Sequence, residues 1–172
     1  MTLVITGLER RHDRTDFDCG EPLLNAFLQR FARQQAEKNF NRTYVAMAEG
    51  EARIHGYYAI SSASIDFENW PEGLRLPRYP VPIARIGRLA VDMREQGKGT
   101  GAALLRHAMH LTASMAWQVG VFALVVDAKH EAAAAFYARY GFQRFSREQL
   151  SLFLTTDVIL AALAEATQKN DI

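Results

Sequence analysis

The chain has 172 residues, 49% hydrophobic and 23% charged, with 20 Lys and Arg against 19 Asp and Glu, for a formal net charge of +1. This make-up suits a single globular domain over residues 1–172, and the charge balance lacks the basic excess usual in nucleic-acid binders. No apolar run approaches a membrane span, the basic residues follow the apolar N-terminal stretch, and the lone Cys19 cannot form an internal disulfide, so the expectations are a cytoplasmic protein, no membrane and no metal.

In chain order, residues 3–8 read as a first strand. Pro22 suits the opening turn of a helix in which Leu23, Leu24, Phe27, Leu28 and Phe31 recur at helical spacing, running to about Lys38. Residues 43–48 and 54–65 read as a hairpin around Glu49-Gly50-Glu51. The stretch 67–82 contains Trp70, Pro71, Gly73, Pro77, Tyr79, Pro80 and Pro82 and reads as a long loop of the kind that tends to carry function. A central strand over 83–91 is followed by a helix from Thr100 to about Trp117 that should bury Leu104, Leu105, Ala108, Met109, Leu111 and Met115. Gly120 ends it before a strand over 121–126, and a β-helix-β unit of this length implies a parallel pair. An alanine-rich helix from Glu131 closes at Gly141, residues 142–147 and 149–155 can pair as a hairpin, and 157–166 reads as a last helix. The fold class is α/β with a mixed sheet.

The richest segment is Arg85-Ile-Gly-Arg-Leu-Ala-Val-Asp-Met-Arg-Glu-Gln-Gly-Lys-Gly-Thr-Gly-Ala102, a strand, a short charged turn, alternating glycines and a helix start. Gly97, Gly99 and Gly101 allow a sharp turn that points several N–H groups at one anion, at the positive end of the helix beginning near Thr100. A P-loop is excluded, since Lys98 is followed by Gly99 and Asp92 stands five before Gly97. The dinucleotide fingerprint is matched literally by Gly97, Gly99 and Ala102, but Asp92 to Gln96 separate it from its strand. The pattern Gln/Arg-x-x-Gly-x-Gly/Ala after Leu-Ala-Val-Asp is matched at Gln96, Gly99 and Gly101.

This last motif resembles the acetyl-CoA motif of the GNAT family of N-acetyltransferases. A second motif, Glu131-Ala-Ala-Ala-Ala-Phe-Tyr-Ala-Arg-Tyr-Gly-Phe142, resembles the same family's Ala-x-x-Phe-Tyr-x-x-x-Gly-Phe signature. The resemblance covers nearly the whole chain and implies the GNAT acyl-CoA N-acyltransferase fold with acetyl-CoA as donor. It implies backbone contacts from Leu89, Ala90 and Val91 to pantetheine and the thioester carbonyl, one of those amides stabilising the oxyanion. It implies pyrophosphate contacts from Gln96, Gly97, Lys98, Gly99, Thr100, Gly101 and Ala102. Tyr137 becomes the acid that protonates the departing thiolate, while Phe136 and Tyr140 read as packing aromatics. Many members carry asparagine where this chain has His130.

No acid stands on the central strand as a general base; Arg85 and Arg88 stand there instead. A lysine amine with pKa near 10.4 needs a base, whereas an α-amine near 7.7 to 8.0 is already substantially neutral in the cytoplasm, so the missing base favours an α-amine and the arginines an anionic substrate. A finer resemblance agrees. Phe17-Asp-Cys-Gly20, Leu24-Asn25, Phe27-Leu-Gln-Arg30, Arg42-Thr-Tyr-Val45, Gly56-Tyr-Tyr58 and Gly87-Arg-Leu-Ala-Val-Asp92 are similar to the GNAT toxins of bacterial type II toxin–antitoxin systems, which acetylate the α-amine of aminoacyl-tRNA. That implies aminoacyl-tRNA as substrate, a ribbon-helix-helix antitoxin as partner and a homodimer. Arg30, Arg33, Arg75 and Arg78, with Arg85 and Arg88, are the substrate-side candidates; charge alone leaves open phosphate contacts or ordinary solvated faces. Acetylation of a small amine or a protein N-terminus, and a catalytically idle CoA-binding module, stand as alternatives.

Overall fold

β1 (Leu3–Gly7) lies antiparallel to β2 (Arg42–Ala48), pairing Leu3 with Ala48, and β2 lies antiparallel to β3 (Gly56–Ile65), pairing Ala46 with Gly56. The computed structural model describes residues 2–170. β3 starts two residues later than the apolar pattern suggests, because the backbone at residues 52–54 is committed to Asp13: Asp13 N–H donates to Ala52 and Ile54 N–H to Asp13. β4 (Val81–Val91), β5 (Ala123–Asp127), β6 (Gln143–Arg144) and β7 (Ser151–Thr155) complete a seven-stranded sheet in the order β1-β2-β3-β4-β5-β7-β6. β7 is antiparallel to both β5 and β6, while a hydrogen bond from Phe122 to the Pro82 carbonyl sets the start of β5 beside the start of β4, the parallel arrangement expected of a helical crossover.

Four helices accompany the sheet among the described residues. α1 runs through Pro22–Ala26, a π-helical turn at Phe27–Phe31 and Ala32–Glu37. α2 is Thr100–Val119, α3 is Glu131–Ala138 and α4 is Thr156–Asn170. None of these is long and apolar enough to cross a membrane. The π-turn explains one departure from the expected apolar stripe. Its extra residue rotates everything after it, so Ala32 is fully buried in place of Phe31, which is 45% exposed. Leu23, in the first turn, faces out, and Leu24, Phe27 and Leu28 take the core side. Along α2, Leu104, Leu105, Ala108 and Thr112 are fully buried, whereas Met109, Leu111 and Met115 are only half-buried.

The chain falls into two compact units, one of residues up to Ser61 with Ile86–Ala108, the other of Ser62–Arg85 with the chain from Met109 onward. The first is built around Leu24, Phe27, Leu28, Val45, Ile54 and Tyr57, with Phe17 edge-on to the Tyr57 ring and Phe27 stacked on it. The second centres on Trp70, whose indole meets Phe122, Phe145 and Phe153 at 4.9 to 5.3 Å. The stretch expected as a loop is thus pinned by a core aromatic just after one 3-10 turn, Phe67–Asn69, and its end already belongs to β4. Within the first unit, a Cβ at Gly56 would lie 2.9 Å from the Ala90 carbonyl, 3.0 Å from Leu104 and 3.2 Å from Thr100. Gly56→Val is therefore expected to cost about 1–3 kcal/mol of stability through overpacking, measured by urea denaturation; an unchanged midpoint would show that β3 and β4 can separate freely.

Candidate functional site

The cradle belongs to the first unit. β4 ends at Val91, and the buried Asp92 carboxylate takes over the backbone that follows, accepting from Arg94 N–H at 2.9 Å and from Asp18 N–H at 3.1 Å. The Arg94 guanidinium grips both carboxylate oxygens, at 2.9 and 3.0 Å. Burial alone would push this acid up; the Arg94 side chain and backbone and the Asp18 amide outweigh it and hold the pKa at about 2. The Gln96 side chain closes the turn by donating to the Val91 and Cys19 carbonyls at 3.0 and 3.4 Å. The segment Phe17 to Gly20 therefore buttresses the turn.

Gly97 and Gly99 have φ of 78° and 88°, left-handed values that glycine adopts readily, and nothing stands within 4 Å of where a Cβ would be. Gly101 is already helical. α2 begins at Thr100 with no acidic residue in its first turn, so a twenty-residue helix presents an uncompensated positive end beside an open, glycine-lined turn. These residues fit a diphosphate. Lys98 does not reach into that opening; its ammonium sits 3.3 Å from the Glu95 carboxylate. Of the strand residues, Ala90 is buried against Gly56, and Leu89 and Val91 are half-buried. The Arg88 guanidinium lies 4.0 Å over the Phe27 ring.

In the second unit, Tyr137 on α3 is 4% exposed, with Phe136 and Phe142 rings 5.3 and 5.8 Å away. Burial first, and the Asp127 charge second, push its phenol well above the ordinary range, so it stays protonated. Asp127, at the end of β5, accepts from Ser151 Oγ at 2.9 Å and pairs with Arg85 at 3.4 Å. His130 caps α3 by accepting the Ala133 N–H at 3.1 Å. Gly141, at φ 92°, ends that helical segment where its motif expects.

The acetyltransferase (GNAT) domain model matches residues 39–144. The chain belongs to the GNAT acetyltransferase family. The tRNA-acetylating toxin of Mycobacterium tuberculosis (strain ATCC 25618 / H37Rv) is 36% identical over 144 residues, 83% of this chain and 85% of the relative. AtaT complexed with acetyl-methionyl-tRNAfMet superposes with a TM-score of 0.86 at 31% identity, over 94% of this chain and 99% of that one. A tyrosine-to-phenylalanine mutant of AtaT, bound to the C-terminus of the antitoxin AtaR and acetyl-CoA, gives 0.80 at 29% identity, over 95% and 99%.

The arginines expected to face substrate in this GNAT chain have unequal surroundings. Arg30, Arg75 and Arg78 are exposed, Arg33 pairs with Glu37 at 3.5 Å, and Arg85 is matched by Asp127. Positive character on the central strand accordingly rests on Arg88. Residues passed over by the sequence reading are Asp92 as an anchor and the group Arg53, His55 and Glu95 below the turn. The only signal for Asp92 is an acid two residues before a bare N–H, the spacing of a side-chain cap. With a folded pKa below the unfolded value, Asp92 contributes its full share of stability above about pH 4 and loses it as pH falls to about 2, a change of about 2 kcal/mol. Denaturation of wild type and Asp92→Asn across pH 2 to 6 should show their difference shrinking on acidification; a constant difference would rule out this role.

Proposed function

We propose that this chain is an acetyl-CoA-dependent N-acetyltransferase that acetylates the α-amine of aminoacyl-tRNA and so blocks translation, with an antitoxin as its natural partner. The observation that carries it is the cradle of Gly97 and Gly99 at the uncompensated start of α2, in a chain similar to a tRNA-acetylating toxin and to AtaT complexed with acetyl-methionyl-tRNAfMet. A homodimer working in the cytoplasm and a ribbon-helix-helix antitoxin belong to the same reading.

Bound acetyl-CoA supplies an activated acetyl group and a thiolate leaving group. The chain's own part is to hold the diphosphate on the N–H groups from Gln96 to Ala102, to bind pantetheine along Leu89 to Val91, and to keep a proton ready on Tyr137 Oη. A phenol raised by burial is a weaker acid than a free one, so its value lies in being fully protonated and fixed in place. A base to neutralise the amine before attack is less needed for an α-amine with pKa near 8, a substantial fraction of which is neutral at physiological pH, and the proton the nitrogen sheds after attack can leave to water. Arg88, resting on Phe27, offers the remaining positive charge of the strand to the phosphates or carbonyl of the charged tRNA end.

The decisive experiment incubates the purified protein with labelled acetyl-CoA and charged tRNAs and looks for N-acetylated aminoacyl-tRNA by mass spectrometry. Label on at least one isoacceptor is expected. Intact acetyl-CoA binding with no transfer to any isoacceptor would end the tRNA reading, and transfer to small amines or protein N-termini would replace it. Tyr137→Phe is expected to lower turnover by about 10² to 10⁴ with acetyl-CoA affinity little changed; an unchanged rate would remove Tyr137 from the chemistry. In the pH profile, kcat/KM should rise with a midpoint at about pH 8 as the amine becomes neutral, level off by about pH 9, and show no fall from Tyr137 ionisation up to about pH 10. An alkaline loss below pH 9 that Tyr137→Phe abolishes would contradict that assignment.

A further inference from the structure

Glu95 is a carboxylate held almost out of water at the base of the cradle, with a side chain only 6% exposed. One oxygen takes the Arg53 guanidinium at 2.6 Å, the other the Lys98 ammonium at 3.3 Å, and His55 Nδ1 stands 3.7 Å away without a hydrogen-bond partner. Arg53 also lies 3.2 Å from His55 Nε2, and its backbone bridges to Asp13. The Arg53 hydrogen bond, opposed by burial and helped by Lys98, holds Glu95 ionised below the usual range.

Lys98 stands between two glycines in left-handed conformation, the residues with the most freedom to lose. Its ammonium is tethered to Glu95, two residues before Gly97, and Glu95 is tied through Arg53 to the lead-in of β3. We infer that Glu95 is a positioning residue for the diphosphate loop, clamped by Arg53 and fixing the shape of Gly97-Lys98-Gly99, so that it sets acetyl-CoA affinity without touching the acceptor or the reacting atoms. The inference rests on the reading of this loop as the acetyl-CoA cradle. Two opposed effects of losing the carboxylate can be weighed. Removing one negative charge from beneath the loop would by itself strengthen the binding of an anion. Losing the charge-assisted hydrogen bonds that keep the loop competent would weaken it by about tenfold or more. Loosening has to outweigh the charge, so tighter binding by the variants would overturn the inference.

The test is calorimetric titration of acetyl-CoA into wild type, Glu95→Gln, Arg53→Gln and the double variant, beside steady-state rates with charged tRNA. Arg53 is one-third exposed, so its variant gives a second reading if Glu95→Gln folds poorly. Each single variant is expected to bind acetyl-CoA about five- to tenfold more weakly, and the double variant no more weakly than the worse single, because both cut the same clamp. At saturating acetyl-CoA, kcat and the acceptor KM should stay within about twofold of wild type. Unchanged affinity in both singles, losses that multiply in the double variant, or a loss appearing in kcat would each overturn the inference. Wild type that fails to bind acetyl-CoA would remove the cradle reading itself and this inference with it.

Discussion

A loop that binds an anion through its backbone has to keep N–H groups turned outward for the ligand, and N–H groups kept for a ligand do nothing to hold the loop in shape. The turn after β4 meets that constraint with two buried carboxylates three residues apart. Asp92 collects the backbone amides of Asp18 and Arg94 and two N–H groups of the Arg94 guanidinium; Glu95 takes Arg53 on one side and Lys98 on the other. Gln96 locks the turn once more from its own side chain. The side-chain ties are thus concentrated at Asp92 to Gln96, and the two left-handed glycines that follow carry nothing over the opening.

The same arrangement gives the N-terminal segment its place. The Phe17 ring packs into the first unit's aromatic core, the Asp18 carbonyl accepts the Met93 amide, and the Cys19 carbonyl accepts Gln96. A stretch far away in sequence therefore helps set the geometry of the turn after β4 through three consecutive residues.

Much of this was legible in the sequence, and the limits have physical causes. The glycine spacing, the strand before it and the Phe-Tyr-x-x-x-Gly-Phe ending are local patterns, and they led to the right family and fold. β1, β7 and α2 also lie close to where the apolar pattern places them, while the first arm of the final hairpin shortens to Gln143–Arg144. The π-turn in α1 was not legible, because one extra residue leaves no mark on composition; it moved Phe31 out of the core and Ala32 in. Trp70 was hidden by its proline-rich neighbours, although an indole ringed by Phe122, Phe145 and Phe153 is core by any measure. The Glu95 group was illegible for a different reason. Arg53 and Glu95 are 42 residues apart, and only the fold makes them partners. His130 was expected as a departure from its motif, and the structure gives it the work of a helix cap.

Arg88 rests its guanidinium on Phe27, and Phe27 is itself fixed against Tyr57 at the π-turn. An arginine in free solution surrenders several rotatable bonds when it grips a phosphate, and that lost freedom subtracts from the affinity gained. For Arg88 part of that freedom is given up on folding, against a ring that is itself held by packing, so a phosphate met there would cost the side chain less than one met by a free arginine.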